Sequence, residues 1–284
     1  GSEASSPIFL CPVGSQGAYH ADAELGTARA AAAKGHHMVL STQSSTSVEQ
    51  VAEARGAPIW HQLYSTNRWE YTVSMLQRAE AAGCTSVCLT IDLPGGRNTE
   101  TQSVLIREDT RNCASCHTGQ SKPMFDGLNM RGVGLTDAAM TWSVIPRMKE
   151  VTNMNIVIKG IEVDADAALA VQYGADAIWV SNHGGRQLDA GQSTIKPLTT
   201  IAEKYGDQIE VMMDSGIRSG PDVARAMASG AKFTFMGRSF MYGVSALGNK
   251  GGDHTISLLK TELQQVMEQL CCEKTSDFPY HLIK

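Results

Sequence analysis

Along the chain, short apolar runs alternate with longer, Ala-rich stretches whose apolar positions recur every three or four residues. The short runs predict strands at Pro7–Cys11, His37–Ser41, Pro58–Tyr64, Ser86–Asp92, Asn155–Ile161, Ala177–Asn182, Glu210–Asp214 and Lys232–Met236. They are apolar on both faces, as strands buried in a parallel sheet must be. The intervening periodicity predicts helices such as Asn67–Ala82, Asp164–Tyr173 and Asp222–Ser229, the last opening after Pro221. Glycines at 35, 83, 174 and 230 stand where helices are expected to stop. Eight β-then-α units in succession predict an α/β fold, a (β/α)8 TIM barrel forming one domain over residues 1–284. An open doubly wound sheet is the alternative. The first βα turn, Cys11-Pro12-Val13-Gly14-Ser15-Gln16-Gly17, lacks the Gly-x-Gly-x-x-Gly pattern that such a sheet uses for a dinucleotide. From Pro94 to about Thr141 the rhythm breaks into a polar stretch without a clear period, a long loop after the fourth strand overhanging the catalytic face.

Composition narrows the classes. With 42% hydrophobic residues in 284, the chain can bury a substantial core. A net charge of -5 argues against a nucleic-acid partner. No apolar run approaches the roughly 20 residues needed to span a bilayer. Gly1-Ser2 reads as a cloning remnant, so a native N-terminal segment is expected to precede this chain. The seven cysteines (Cys11, Cys84, Cys88, Cys113, Cys116, Cys271 and Cys272) are odd in number and scattered. That is no disulfide framework, and it favours an intracellular, reducing compartment. Cys11, Cys84 and Cys88 lie in apolar runs and are expected to act as small buried hydrophobes. Cys113-Ala114-Ser115-Cys116-His117 has the spacing of a c-type haem attachment. It sits inside the long loop rather than in a haem-sized domain and is read as a loop element, with no metal assigned.

Barrel active sites form at the carboxyl ends of the strands. Each strand candidate closes on a polar or glycine group: Pro12-Val13-Gly14, Ser41, Gln62 and Tyr64, Thr90 and Asp92, Lys159, Ser181, Asp214, and Gly237-Arg238. The stretch Asp214-Ser215-Gly216-Ile217-Arg218-Ser219-Gly220 and the stretch Met236-Gly237-Arg238-Ser239 follow strands seven and eight. Glycines there let backbone N–H groups approach a phosphate, and arginine binds one bidentately. Lys159 ends an apolar strand and requires an anion or polar acceptor. His183 lies between a strand and two glycines with Arg186 three residues on, a poor place for a core histidine and a good one for a base beside an anion clamp. Asp92 is placed to orient that histidine and stabilise its imidazolium form.

At Ser181-Asn182-His183-Gly184-Gly185-Arg186-Gln187-Leu188-Asp189 and at Asp214 to Gly220 the chain resembles the FMN-dependent α-hydroxy-acid oxidases and dehydrogenases, the family of glycolate and lactate oxidases. His61-Gln62-Leu63-Tyr64, Leu89-Thr90-Ile91-Asp92 and Ile158-Lys159-Gly160 support it. The resemblance implies FMN as cofactor and a small 2-hydroxy acid as substrate, oxidised to the 2-keto acid by a carbanion or a hydride route. By that resemblance His183 is the base, Asp92 its partner, and Arg186 and Tyr64 hold the substrate. Pro12, Val13, Gly14, Ser41, Gln62, Thr90 and Ser181 contact the flavin, Lys159 sits by flavin N1, and Asp214 takes ribityl hydroxyls. Ser215, Gly216, Ile217, Arg218, Gly237 and Arg238 form the phosphate end. Oxygen, a quinone or a cytochrome all fit as electron acceptor, and relatives suggest a homo-oligomer, a tetramer. Two departures bear on substrate. The family's second substrate arginine stands just before an acidic residue; here Thr99 precedes Glu100 and Arg97 lies two residues away. The family's substrate-binding tyrosine lies upstream of the first strand, and this chain starts too late to include it; either the chain is truncated or the enzyme manages without it. A non-redox FMN barrel of the isomerase kind shares the phosphate site but needs no base–arginine pair, and a truncated flavin-binding scaffold is the third reading.

Overall fold

A computed structural model describes residues 4–93, 95–110 and 122–282. The strands are β1 (Ile8–Leu10), β2 (Val39–Ser41), β3 (Trp60–Leu63), β4 (Ser86–Thr90), β5 (Asn155–Ile161), β6 (Ala177–Val180), β7 (Glu210–Met213) and β8 (Thr234–Met236). All pair in parallel, in the order β1-β8-β7-β6-β5-β4-β3-β2. A single bridge, Leu10 to Met38, brings β1 against β2 and closes the ring. This is the expected barrel: β5 keeps its predicted bounds, β2 and β8 begin two residues later than predicted, β4, β6 and β7 end one or two residues earlier, and β1 and β3 are shorter at both ends.

The helices are α1 (Ala23–Lys34), α2 (Val48–Arg55), α3 (Trp69–Ala81), α4 (Glu100–Glu108), α5 (Val144–Lys149), α6 (Asp164–Gln172), α7 (Ile195–Tyr205), α8 (Gly220–Ala228), α9 (Arg238–Leu247) and α10 (Gly251–Gln269). Helices alternate with strands around the barrel, and α10 packs on α1, α8 and α9. Their starts are written locally. Ser47 caps α2 and Ser219 caps α8, each in a reciprocal box with the residue three places on. Ser219 therefore caps α8, whose first residue, Gly220, lies two places ahead of the predicted Asp222. The expected glycine stops at Gly35, Gly83, Gly174 and Gly230 all take positive φ.

Strand periodicity sorts side chains into two cores. Leu40, Leu63, Val87, Leu89, Ile156, Ile158, Ile178 and Val211 point outward into the layer under the helices. Phe9, Val39, Cys88, Val157, Ala177, Trp179, Met212 and Phe235 point inward and fill the barrel axis, with Trp179 stacked on Phe235 at 3.7 Å between centroids. Cys84 and Cys88 are buried as expected.

Among its described residues the polar stretch after β4 carries a helix that the sequence did not predict, α4. Its apolar residues, Val104, Leu105 and Ile106, are consecutive and none is buried, so they mark no helical period. Cys113, Cys116 and His117 lie outside the described residues. Among the described residues no helix is long and apolar enough to cross a membrane, and no group of three or more His, Cys, Asp or Glu is placed to hold a metal.

Candidate active site

The inward-facing positions change chemistry once along each strand. Two residues beyond the apolar plug the same alternation delivers Cys11, Ser41, Gln62, Thr90, Lys159, Ser181, Asp214 and Gly237. Two further along, β3 and β4 add Tyr64 and Asp92. A period of two thus lays a polar layer over an apolar one at the carboxyl mouth. Above it opens a cleft of about 340 Å³.

Lys159 forms the floor. Its Nζ donates to Ser181 Oγ at 2.9 Å and lies 3.4 Å from Asp214 Oδ2, with both side chains nearly inaccessible. Asp214 Oδ1 accepts from Ser181 Oγ at 2.6 Å and from Ser215 Oγ at 2.5 Å. Burial opposes the charge on Lys159, but Asp214 and Asp92 outweigh it and raise its pKa, so the lysine stays cationic. Beside it, Gln62 accepts from Ser41 Oγ at 3.1 Å and donates to Thr90 Oγ1 at 2.9 Å.

His183 follows β6 with φ 57, a left-handed conformation that costs a non-glycine residue. Its N–H donates to Ser181 Oγ at 3.0 Å, which pins the turn. Its Nδ1 lies 3.1 and 3.0 Å from the two Asp92 oxygens. Its Nε2 lies 3.4 Å from Tyr64 Oη across the cleft. Burial and the charge of Lys159 hold the imidazole below its ordinary pKa, against the pull of Asp92. Burial acts to raise the Asp92 carboxyl, but its hydrogen bond to His183 and the nearby Lys159 lower it on balance. The pair at rest is a neutral imidazole and a carboxylate, the state of a base awaiting a proton. Gly160 makes this approach possible. It sits at φ 105 in a register shift between Lys159 and Ile161, and a Cβ there would meet Asp92 Cβ at 2.7 Å.

Arg186 lines the cleft and is exposed, two residues past the Gly184 turn. Arg97 does not line it but is exposed nearby, close enough to act electrostatically on Tyr64.

Ser215, Gly216, Ile217, Arg218, Gly237 and Arg238 line the adjoining part of the cleft, where Ser215 Oγ accepts from the Gly184 N–H at 2.9 Å. The amides of Gly216 and Ile217 donate to no protein group among the described residues. Arg238 donates to the Gly184 carbonyl at 2.7 Å, and Arg218 rests against the Tyr242 ring at 5.7 Å. Free amides, two guanidiniums and the start of α9 form a cradle suited to a phosphate dianion. Pro12 and Val13 add an apolar wall to the same lining, Val13 beside Gly237. The donor set fits a flavin mononucleotide: cation and amide donors at the floor, apolar wall for a ring, anion cradle at one end.

Of the residues picked from sequence, Pro12, Val13, Gln62, Tyr64, Thr90, Lys159, His183, Arg186, Asp214, Ser215, Gly216, Ile217, Arg218, Gly237 and Arg238 line the cleft. Ser41, Asp92 and Ser181 stand directly behind it as hydrogen-bond partners. Gly14 packs against Gln43 outside the lining, where a Cβ would meet Gln43 Cβ at 2.8 Å. Sequence reasoning missed Cys11, Tyr19, Met241 and Tyr242 as lining residues. Cys11 was expected to be plain core filler, yet it faces the cleft 3.5 Å from Asp214 Oδ2, with its thiol pKa raised by burial and by that carboxylate. Inward parity on β1 would have found it.

Fold and site together define a barrel with an anion cradle beside a buried histidine–carboxylate pair. Comparison with known proteins narrows this: the chain belongs to the FMN-dependent dehydrogenase family, whose sequence profile matches residues 1–284. It is 36% identical over 282 residues to an L-lactate oxidase from Nostoc sp., covering 95% of this chain and 77% of that protein. It is 34% identical over 276 residues to the peroxisomal (S)-2-hydroxyacid oxidase GLO3 of Arabidopsis thaliana, covering 96% and 76%. Among solved structures, a mandelate oxidase variant with (S)-mandelic acid superposes with a TM-score of 0.86 at 33% identity, over 98% of this chain and 78% of that one. The chain is therefore an FMN-dependent oxidoreductase of the 2-hydroxy-acid oxidase and dehydrogenase class.

Proposed function

We propose that this chain, as one FMN-binding barrel domain, oxidises a small L-2-hydroxy acid to its 2-keto acid, with His183 as base and Arg186 as the carboxylate clamp. The observation that carries the reading is the His183–Asp92 pair, 3.0 Å apart, with Nε2 turned to the cleft beside Tyr64. Arg186 holds the substrate carboxylate, and Tyr64 Oη contacts its hydroxyl. His183 Nε2 takes a proton from the substrate, and Asp92 stabilises the imidazolium that results. FMN, when bound, would accept the two electrons together with the substrate's second hydrogen. Pro12, Val13, Gly14, Ser41, Gln62, Thr90, Lys159, Ser181 and Asp214 would hold its ring and ribityl chain. Ser215, Gly216, Ile217, Arg218, Gly237 and Arg238 would hold its phosphate. The lasting positive charge of Lys159 suits a site that must receive negative charge. The relatives named for lactate, (S)-2-hydroxy acids and mandelate support the substrate class.

Anaerobic mixing with L-lactate, glycolate and (S)-mandelate tests it. At least one is expected to bleach the visible flavin band and yield the keto acid. His183→Gln is expected to keep FMN and lose at least about a hundredfold in kcat. Turnover near normal in that variant, or no bleaching by any hydroxy acid, refutes the assignment.

A further inference from the structure

The mechanism above leaves one buried side chain beside the base unused. Gln187 is 8% exposed. Its amide end lies 2.9 Å from His183 Nδ1, while its other amide atom, Oε1, is buried without a partner. Nδ1 carries one proton, and the ionised Asp92 can only accept it. The amide is therefore assigned with its oxygen toward Nδ1, which places its NH2 in the other, buried position. The Gln187 backbone makes a second link. Its carbonyl accepts from Asn98 N–H at 2.8 Å, Asp189 N–H donates to the Asn98 carbonyl at 3.2 Å, and Asp189 Oδ2 accepts from Thr101 N–H at 2.7 Å in the first turn of α4. One residue thus touches the base with its side chain and the loop after β4 with its main chain.

We propose that Gln187 is a positioning residue of the hydroxy-acid oxidation: its amide fixes the ring plane and tautomer of His183, and its backbone ties that geometry to the docked 95–101 loop. This rests on the assignment of His183 as base. With Nδ1–H held by both Asp92 and Gln187, the Nε2 lone pair is left facing substrate, and the imidazolium formed in the reaction gains a second acceptor. The other groups that act on the ring are Lys159 on β5, Asp214 just past β7 and Tyr64 just past β3; Arg186 and Arg238 are the cations nearby, Arg238 held on the Gly184 carbonyl.

The test uses the FMN-loaded protein and two variants. Gln187→Leu removes the acceptor; Gln187→Glu keeps an oxygen and adds charge. Imidazole ¹⁵N NMR, with His183 assigned by its loss in His183→Gln, reads tautomer and titration directly. Gln187→Leu is expected to lower the His183 pKa and to cut kcat about tenfold, a loss equivalent to one hydrogen bond to a charged group. Gln187→Glu is expected to raise that pKa above the parent's. Opposite shifts from the two variants are the signature; a merely structural role moves neither in this way. Unchanged His183 titration in both variants, with FMN retained, overturns the proposal. Failure of the base assignment itself shows elsewhere, as full turnover in His183→Gln.

Discussion

His61 lies on β3 with outward parity, fully buried between Leu40 and Val87 of the neighbouring strands. Neither ring nitrogen has a hydrogen-bond partner. Burial pushes its pKa from 6.5 down to about 4. The sign follows from linkage: below pH 6.5 the unfolded chain takes up a proton that the folded chain refuses, so stability is present above that pH and drains away as pH falls toward the folded value. A 2.5-unit gap (6.5 minus about 4) at about 1.4 kcal/mol per unit is worth roughly 3 kcal/mol in all, of which about 2 is lost between pH 7.5 and pH 5. His61→Leu removes both nitrogens at similar volume. It is expected to be more stable than the parent near neutrality, because two unsatisfied polar atoms leave the core. Urea unfolding of parent and variant at those two pH values, at one fixed FMN concentration, measures the effect. Every other titrating group is common to both proteins and cancels. The stability gap is expected to widen by about 2 kcal/mol at the lower pH. A gap that stays constant to within about 0.5 kcal/mol refutes the claim that His61 is buried neutral and unpartnered.

Lys159→Met leaves Asp214 buried without its cation and is expected to cost about 3–5 kcal/mol in chemical denaturation; adding Asp214→Asn should restore much of that stability but not FMN affinity. Gly160→Ala places a Cβ against Asp92 at a φ that alanine rarely adopts. It is expected to lower both melting temperature and kcat, by displacing Asp92 from His183. Arg238→Ala removes one guanidinium from the cradle and should weaken FMN binding about tenfold or more in equilibrium dialysis, with the fold unchanged by circular dichroism.

The barrel was legible because its strands are apolar on both faces and recur with helices between them. The site was legible for a related reason: inward parity runs on from Val157 to Lys159, from Trp179 to Ser181 and from Met212 to Asp214. What stayed hidden depends on contacts distant in sequence. Gly160 reads as a strand-end glycine until Asp92 is seen packed on it from 68 residues upstream (160 minus 92). Gln187 looks like one polar loop residue among several, and His61 like a polar interruption of β3 rather than an unpaired core group. Helix α4 gave no signal because it buries nothing.

The stretch between β4 and α5 is gripped on both sides of α4. Asn98 is laddered to the β6 loop, and Lys122 Nζ donates to the Gln43 carbonyl at 2.7 Å and to Ser15 Oγ at 2.5 Å. Chain between two fixed anchors is thermodynamically insulated from what they hold: doubling its length costs only about 0.6 kcal/mol in closure entropy. Residues 102–110, none of them buried, are therefore an exchangeable cassette, in which sequence can be inserted, trimmed or replaced while Arg97, Gln187 and His183 keep their places.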